Sequence, residues 1–132
     1  VLDGVEIDLG KIKTPSYFLA TKEDHIAPWP AIYEGLKRFG GPVKFVLAAS
    51  GHIAGVVNPP TSEKYSHWTN AKRPNTSEEW LETAVEAKGS WWPDWQKWIL
   101  RKAGKQVPAH PPGGEGLKPL EPAPGGYVKV RS

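Results

Sequence analysis

Cysteine is absent from the 132-residue sequence, which excludes disulfides and cysteine-ligated metal sites within it. Long apolar runs are also absent, since no stretch approaches the roughly 20 residues that a membrane-spanning helix needs. Residues 1–4 have neither the basic start nor the apolar core of a signal peptide. From the sequence we therefore expect no membrane span and no export signal.

A large excess of one sign of charge is absent as well. The 17 lysines and arginines are nearly balanced by 14 aspartates and glutamates, and they are scattered along the chain rather than gathered into a stripe. Nucleic-acid-binding proteins usually carry such a stripe, so the charge pattern disfavours nucleic acid as a partner. The 39% of hydrophobic residues is enough to bury a modest core, and the length is typical of one domain.

What the sequence does contain is a strand, helix, strand pattern in its first half. Ser16–Thr21 and residues 43–49 are apolar runs of strand length. Between them, apolar residues recur at helical spacing from Trp29 to Phe39, before a glycine pair that ends the helix. A β-α-β unit of this kind has parallel strands and a right-handed crossover. The fold class is therefore predicted as α/β.

The second half of the chain is predicted to be helical and then irregular. Residues 76–79 read Thr-Ser-Glu-Glu, a capping box that opens a helix predicted to end near Gly89. A further helix is predicted from Pro93 to Gly104. Residues 105–132 include 11 prolines and glycines and lose all periodicity, which predicts an extended tail. The chain is thus divided into residues 1–104 and residues 105–132.

Two parallel strands do not make a stable sheet by themselves. Parallel sheets are covered on both faces and usually contain several more strands. The chain is therefore expected to be part of a larger domain. Without the additional strands, Ser16–Thr21 would have at least one unpaired edge, and the isolated chain is expected to aggregate or to need the remainder of the protein.

An acid and an imidazole follow the two predicted strands. Asp24 comes after the first strand and His52 after the second, 28 positions later. Because parallel strands end at the same edge of a sheet, the two side chains are expected to meet there. An imidazole beside a carboxylate is held in one tautomer and can take a proton from a hydroxyl or thiol. The order acid then histidine also fits the last two members of a hydrolase-type triad.

Other interpretations of these residues stay open. Asp24 could cap the helix that follows it, and His52 could fill a glycine-flanked loop. His25, next to the acid, could be the functional imidazole instead. A metal site formed by Asp24, His25 and His52 is disfavoured, because the spacing lacks a helical His-x-x-x-His pair. His67 and His110 lie in polar or proline-rich stretches and are expected to be exposed.

Tryptophan is abundant, and four of the seven tryptophans lie in one segment, SWWPDWQKW at residues 90–98. Trp95, Trp98 and Ile99 fall on one face of the predicted helix, which predicts that this face packs against the sheet. Exposed tryptophans could instead bind sugars or the surface of an apolar polymer. The sequence leaves both interpretations open.

Five motifs occur in a fixed order along the chain. They are EDHIAPW at 23–29, ASGHIAGVVNPP at 49–60, SHWTN at 66–70, GSWWPDW at 89–95 and EPAPGGYV at 121–128. With these motifs the chain resembles the C-terminal part of a class I polyhydroxyalkanoate synthase. Five ordered motifs are far more specific than an acid and a histidine alone.

The resemblance implies a fold, an activity and two site residues. The fold is that of α/β hydrolases, of which this chain is the C-terminal portion. The activity is polymerisation of (R)-3-hydroxyacyl-CoA, typically 3-hydroxybutyryl-CoA, into polyhydroxyalkanoate with release of coenzyme A. By motif position, Asp24 is similar to the family's catalytic aspartate and His52 to its catalytic histidine, which deprotonates a cysteine thiol. Asp24 would orient His52 or help to activate the hydroxyl of the incoming monomer.

The resemblance also implies partners and a location. The family needs no cofactor or metal and acts in the cytoplasm at the surface of polymer granules, usually as a homodimer. Its nucleophile is a cysteine in a Gly-x-Cys-x-Gly turn upstream of the acid. This sequence has no cysteine, and Ser16, the only serine before Asp24, is not in a Gly-x-Ser-x-Gly turn. The chain alone is therefore predicted to be inactive, with the cysteine elsewhere in a longer synthase.

Two rival functions are compatible with the same sequence. An intracellular polyester depolymerase or esterase would combine this acid and histidine with a serine nucleophile. A non-catalytic, tryptophan-rich module would bind an apolar polymer or a carbohydrate. The identity of the nucleophile separates a synthase from a hydrolase, and the effect of removing His52 separates an enzyme from a binding module.

Overall fold

A computed structural model describes residues 1–110, 113–114 and 116–131 of the chain. The chain divides into two compact units, Val1–Lys102 and Ala103–Ser132. The first unit contains a four-stranded sheet and three α-helices. The described residues of the second unit include a short bridge between Gly114 and Leu117 and a 3-10 turn at Tyr127–Lys129. The elements that carry the predicted site residues belong to the first unit.

The sheet of the first unit is mixed and has the strand order β1-β2-β3-β4. The strands are β1 Ser16–Thr21, β2 Val43–Ala48, β3 Ser66–Thr69 and β4 Val85–Lys88. β1 and β2 are parallel, whereas β3 runs antiparallel to both β2 and β4. The two predicted strands, their parallel pairing and the α/β class are confirmed. The structure adds two antiparallel strands that the sequence pattern did not predict.

One face of the sheet is covered by α1 Trp29–Leu36 and α2 Ser77–Glu82. Alternate residues of β1 and β2 point toward these helices, because successive side chains of a strand lie on opposite faces. The buried core on this face consists of Ala20, Tyr33, Leu36, Phe45, Leu47 and Trp80. The Phe45 ring meets both Tyr33 and Trp80 edge to face, and the centroids of Phe45 and Trp80 are 4.7 Å apart.

Helix α1 ends at Leu36 rather than continuing to Phe39 as its apolar spacing predicts. The Phe39 ring instead packs edge-on against Phe18 of β1, with centroids 4.9 Å apart. Gly40 follows at a close approach between two segments, where a Cβ would lie 1.9 Å from the Gly10 carbonyl oxygen. The apolar periodicity therefore continues past the helix because Phe39 still packs against Phe18, which borders the core.

The helix predicted from the capping box is shorter than expected, and the prediction is wrong beyond Glu82. Thr76 caps the helix as predicted, since its Oγ1 accepts a 3.2 Å hydrogen bond from the Glu79 amide. After the helix, Val85–Lys88 forms β4 and pairs with β3 along its length. Every residue of β4 is exposed, and the alternation of Val85 and Ala87 with charged residues covers only four positions, too few to identify a strand in the sequence. Pairing with a partner strand decides its conformation.

The opposite face of the sheet is contacted by α3 Trp92–Leu100. Asp94 anchors this helix by accepting a 2.9 Å hydrogen bond from the Tyr17 hydroxyl and by pairing with Lys44 over 2.6 Å. One turn further on, the Trp98 ring packs 5.4 Å from the Tyr17 ring. Burial raises the pKa of Tyr17, and the Asp94 charge raises it further, so the phenol remains a hydrogen-bond donor.

The predicted third helix is confirmed, although it ends at Leu100 rather than Gly104. Trp98 and Ile99 are partly buried as predicted, but Trp95 is 42% exposed, so its predicted packing against the sheet is wrong. Asp94 and Trp98 face β1, and Trp95 is turned about 100° from Asp94 around the helix axis. None of the helices in the described part of the chain has the length and apolar character needed to cross a bilayer.

Candidate active site

Asp24 and His52 lie side by side at the carboxyl edge of β1 and β2. Thr21 and Ala48, the last residues of the two strands, are register partners, and the Lys22 amide donates a 2.8 Å hydrogen bond to the Ala48 carbonyl. The loops that leave the strands are therefore held together from their first residues. The His52 Nδ1 lies 4.0 Å from the Asp24 Oδ1. The parallel sheet thus produces the close approach that the sequence predicts.

The Asp24 carboxylate is held by its own loop. Its Oδ1 accepts hydrogen bonds from the Ala27 amide over 3.0 Å and from the Ile26 amide over 2.8 Å. These two N–H groups are the main cause of a lowered pKa for Asp24, and the nearby imidazoles of His52 and His25 lower it further against the opposing effect of burial. Asp24 is therefore an anion at neutral pH, as the partner of a proton-accepting imidazole must be.

Asp24 accepts hydrogen bonds from amides of its own loop, but it is not the N-cap of α1. The N-cap residue of α1 is Pro28, and no side chain forms a capping hydrogen bond there. The interpretation of Asp24 as a helix cap is therefore wrong. The two hydrogen bonds within the loop do not exclude an interaction with His52, because an ionised carboxylate oxygen can accept more than one hydrogen bond.

His52 lies on a tight turn that follows β2. The turn is closed by a 2.9 Å hydrogen bond from the Gly55 amide to the Gly51 carbonyl. Gly55 packs against the end of the strand so closely that a Cβ would lie 2.3 Å from the Ala49 carbonyl oxygen. Of the His52 side chain, 42% is exposed, so a reacting group can reach the ring, whereas only 11% of the Asp24 side chain is exposed.

His25 lies beside His52 rather than in its place. The two imidazole rings are 6.0 Å apart between centroids and meet edge to face. Within the described residues, the imidazole within 4.0 Å of the Asp24 carboxylate is that of His52. In the same residues, no group of three or more histidine, cysteine, aspartate or glutamate side chains could hold a metal ion. The geometry therefore favours His52 as the partner of the acid.

His67 is buried, so the prediction that it is exposed is wrong. It lies on β3 and is 8% exposed, with its Nδ1 3.0 Å from the Gly89 carbonyl oxygen. The error arises because the four-residue strand is too short to show an alternating pattern in the sequence. His110, in the second unit, is exposed as predicted.

Two tryptophans that the sequence did not connect with the site contact the His52 turn. The indole N–H groups of Trp91 and Trp92 both donate to the Val56 carbonyl, over 3.2 and 3.0 Å. Because 35 positions separate Trp91 from Val56, no local pattern predicts this contact. A groove of about 470 Å³ beside them is lined by Pro60, Trp91, Trp92, Pro93, Trp95 and Gln96.

The fold and the site together define a class of protein. The chain is an α/β protein with a partly buried carboxylate and an accessible imidazole at the carboxyl ends of two neighbouring parallel strands. This edge of the sheet is where α/β enzymes place their catalytic groups, and the two side chains are suited to general acid–base chemistry.

Comparison with known proteins matches the chain to poly(3-hydroxyalkanoate) polymerases. It is 52% identical over 132 residues to the poly(3-hydroxyalkanoate) polymerase subunit PhaC of Rhizobium etli, and 47% identical over 131 residues to that of Cupriavidus necator. It is 49% identical over 133 residues to the poly(3-hydroxyalkanoate) polymerase of Methylorubrum extorquens. The predicted resemblance to this family is confirmed.

The matches take in 98% to 100% of this chain but only 21% to 22% of each relative. The chain therefore spans about a fifth of the length of the polymerases it matches. No protein-family model matches the chain.

Proposed function

We propose that this chain is the C-terminal segment of a longer poly(3-hydroxyalkanoate) polymerase and that it supplies the acid and the histidine of a Cys-His-Asp triad. The observation that carries the proposal is the 4.0 Å approach of His52 Nδ1 to Asp24 Oδ1 at the carboxyl edge of two parallel strands. The match of the whole chain to polymerases supports the same assignment. In this proposal His52 is the general base and Asp24 is its partner.

The geometry favours an orienting role for Asp24 over direct activation of the monomer hydroxyl. Its Oδ1 already accepts two backbone N–H groups and faces the His52 ring, and little of the side chain is accessible to a substrate. With Nδ1–H turned toward the carboxylate, Nε2 is the atom that accepts and returns a proton. The anionic Asp24 stabilises the imidazolium that forms at that moment.

The reaction consists of two successive acyl transfers. In the first, His52 takes the proton of a cysteine thiol, the thiolate attacks the thioester carbonyl of (R)-3-hydroxyacyl-CoA, and coenzyme A leaves with the proton. In the second, the hydroxyl of another hydroxyacyl group attacks the acyl-cysteine, and His52 passes the hydroxyl proton to the departing sulfur. The cysteine lies outside these 132 residues, which contain none, so the chain alone is expected to be inactive.

The unpaired edge of β1 supports a larger sheet. Among the described strands, β1 is at the end of the sheet and pairs only with β2. An edge strand leaves a row of backbone N–H and C=O groups without strand partners. We propose that a preceding strand of the same polymerase pairs there, as in an α/β-hydrolase fold, and that the cysteine-bearing turn reaches the same carboxyl edge as His52.

The location and the partners follow from the same proposal. We infer that the full-length polymerase acts as a homodimer in the cytoplasm at the surface of polymer granules. In the described part of the second unit, the apolar residues Val107, Leu117, Leu120 and Val130 are each at least 77% exposed. Exposed apolar side chains of this kind suit contact with an apolar polyester or with another subunit.

The proposed function is tested by coenzyme A release from (R)-3-hydroxybutyryl-CoA in the full-length protein. His52→Ala is expected to lower kcat by about a hundredfold to ten-thousandfold with the fold intact by circular dichroism, because the general base is lost. His25→Ala, which removes the neighbouring imidazole, is expected to change kcat by less than about threefold. The acyl groups released are expected in polymer rather than as free 3-hydroxybutyrate.

Each other outcome changes the assigned residue or the assigned function. Unchanged release in His52→Ala contradicts the role of His52, and loss of release only in His25→Ala transfers that role to His25. Free 3-hydroxybutyrate without polymer would make the protein a thioesterase or other hydrolase. Polymer binding without any turnover of the thioester would make it a binding module.

A further inference from the structure

The turn that carries His52 is held at one atom by two side chains from a distant part of the chain. Trp91 Nε1 and Trp92 Nε1 donate to the same Val56 carbonyl, over 3.2 and 3.0 Å. Val56 lies four residues after His52, next to the Gly55 amide that closes the turn. A carbonyl oxygen has two lone pairs, so the two indoles use its full capacity as an acceptor.

The same loop is also fixed on either side of Val56. Before it, Gly55 packs against the Ala49 carbonyl, where no other residue fits without displacement. After it, the Asn58 side chain, which is 4% exposed, donates a 2.8 Å hydrogen bond to the Lys64 carbonyl. These contacts fix the ends of the loop. The two indoles hold its middle, at the residue that follows Gly55.

The segment that presents the two indoles is itself attached to β3. The Gly89 amide donates a 2.9 Å hydrogen bond to the Tyr65 carbonyl, and the His67 Nδ1 lies 3.0 Å from the Gly89 carbonyl oxygen. The Trp91 ring also lies 6.2 Å from the ring of Tyr17 on β1. The indoles therefore extend from a segment with fixed contacts to the sheet, and they can transmit its position to the turn.

We propose that Trp91 and Trp92 are positioning residues that set the place of His52 through the Val56 carbonyl. The inference rests on the proposed role of His52 as the general base. Neither indole is assigned a contact with substrate. A displacement of about 1 Å at a catalytic group can reduce turnover by about a hundredfold, so a remote contact that holds the turn affects kcat.

Because the two indoles share one acceptor, the effects of the two substitutions on kcat are expected to be coupled. After the loss of one indole N–H, the other still holds the carbonyl, and each single substitution has a small effect. After the loss of both, the Val56 carbonyl has no side-chain donor, and the middle of the loop is held only by the turn's own backbone hydrogen bonds. The double substitution is therefore expected to reduce kcat by more than the product of the two single effects, as coupled residues do.

The test compares Trp91→Phe, Trp92→Phe and the double variant in the full-length protein. Phenylalanine keeps an aromatic ring but has no N–H. We expect each single variant to lose less than about threefold in kcat and the double variant about tenfold or more, with the KM for (R)-3-hydroxybutyryl-CoA unchanged. Trp95→Phe is the matched control, because Trp95 lies on α3 as Trp92 does, is similarly exposed, and its indole makes no hydrogen bond to a described residue.

Three results would overturn the inference: a double variant with wild-type kcat, an equal loss of kcat in Trp95→Phe, or a raised KM at constant kcat. Should the double phenylalanine variant not fold, 3-benzothienylalanine at both positions keeps the indole shape without the N–H and gives the same comparison. His52→Ala is measured in parallel. Wild-type kcat in that variant refutes the proposed function, whereas an inactive His52→Ala beside a fully active double variant refutes only the positioning role.

Discussion

The two loops that form the candidate site are held in different ways. The Asp24 carboxylate is held by its own loop, since it accepts from the amides of Ile26 and Ala27. The His52 turn is closed by local backbone hydrogen bonds and is also held from a distance, by indoles 35 and 36 positions away from Val56. The conformation of the acid therefore follows from a few consecutive residues. That of the imidazole depends on the completed fold.

The two side chains also differ in their environment. Asp24 is 11% exposed and its pKa is lowered by backbone N–H groups, whereas His52 is 42% exposed. A shielded acid that is ionised at neutral pH suits the task of orienting a partner. An accessible ring suits the exchange of protons with a substrate.

The largest effect is expected for Asp24→Asn. Asparagine keeps an oxygen that can accept from the amides of Ile26 and Ala27, but it removes the charge that faces His52. We expect kcat to fall by about a thousandfold to ten-thousandfold, because the imidazole loses the partner that selects its tautomer. The measurement is coenzyme A release by the full-length protein. A loss of less than about tenfold would show that the site depends on the hydrogen bonds of Asp24 to its loop and not on its charge.

The pH dependence of stability provides a control for this variant. Because the folded-state pKa of Asp24 is lowered, its charge stabilises the fold above the ordinary pKa of 3.8, and this stabilisation is lost as the pH falls through the lower folded value. Wild type is therefore expected to be more stable than Asp24→Asn at pH 7. The difference should close below about pH 4. A difference that stays constant over this range would contradict the lowered pKa.

A smaller effect is expected for Gly55→Ala. The added Cβ would lie 2.3 Å from the Ala49 carbonyl oxygen, so the turn must move away from the strand and carry His52 with it. We expect kcat to fall by about tenfold to a hundredfold in the same assay. Gly35→Ala is the matched control, because no atom lies within 4 Å of its added Cβ and Gly35 is inside α1. Equal activity in the two variants would mean that the turn tolerates displacement.

The smallest effect on turnover is expected for Thr76→Ala. This substitution removes the cap of α2, on the face of the sheet that holds the buried core. We expect the free energy of unfolding to fall by about 1 kcal/mol, measured by urea denaturation, with kcat unchanged. A reduced kcat in a folded Thr76→Ala protein would show that the site is sensitive to the helical face as well as to its own loops.

Much of the site could be predicted from the sequence because it depends on short-range patterns. Ser16–Thr21 and residues 43–48 are apolar runs of strand length, and the helical spacing between them requires a crossover. A crossover makes the strands parallel, and parallel strands place Asp24 and His52 at one edge. Each step follows from consecutive residues and a general rule of chain geometry.

The remaining features could not be predicted in this way because they depend on contacts between distant residues. Val85–Lys88 is four residues long and fully exposed, so no buried face specifies it, and it becomes a strand by pairing with β3. The burial of His67 depends on that same pairing, because Ala87 of β4 lies opposite it and the Gly89 carbonyl, just after β4, contacts its ring. The exposure of Trp95 depends on Asp94, which fixes the rotation of α3 by its contacts with Tyr17 and Lys44.

By itself, the sequence determined the α/β class, the two parallel strands, the cap at Thr76 and the pairing of Asp24 with His52. It could do so because periodicity, capping and strand direction are properties of neighbouring residues. Only the tertiary structure decided how His52 is held, since the indoles of Trp91 and Trp92 meet the Val56 carbonyl after β3, β4 and α3 have packed. A hydrogen bond between residues so far apart in the chain exists only when the whole fold brings its two atoms within about 3 Å.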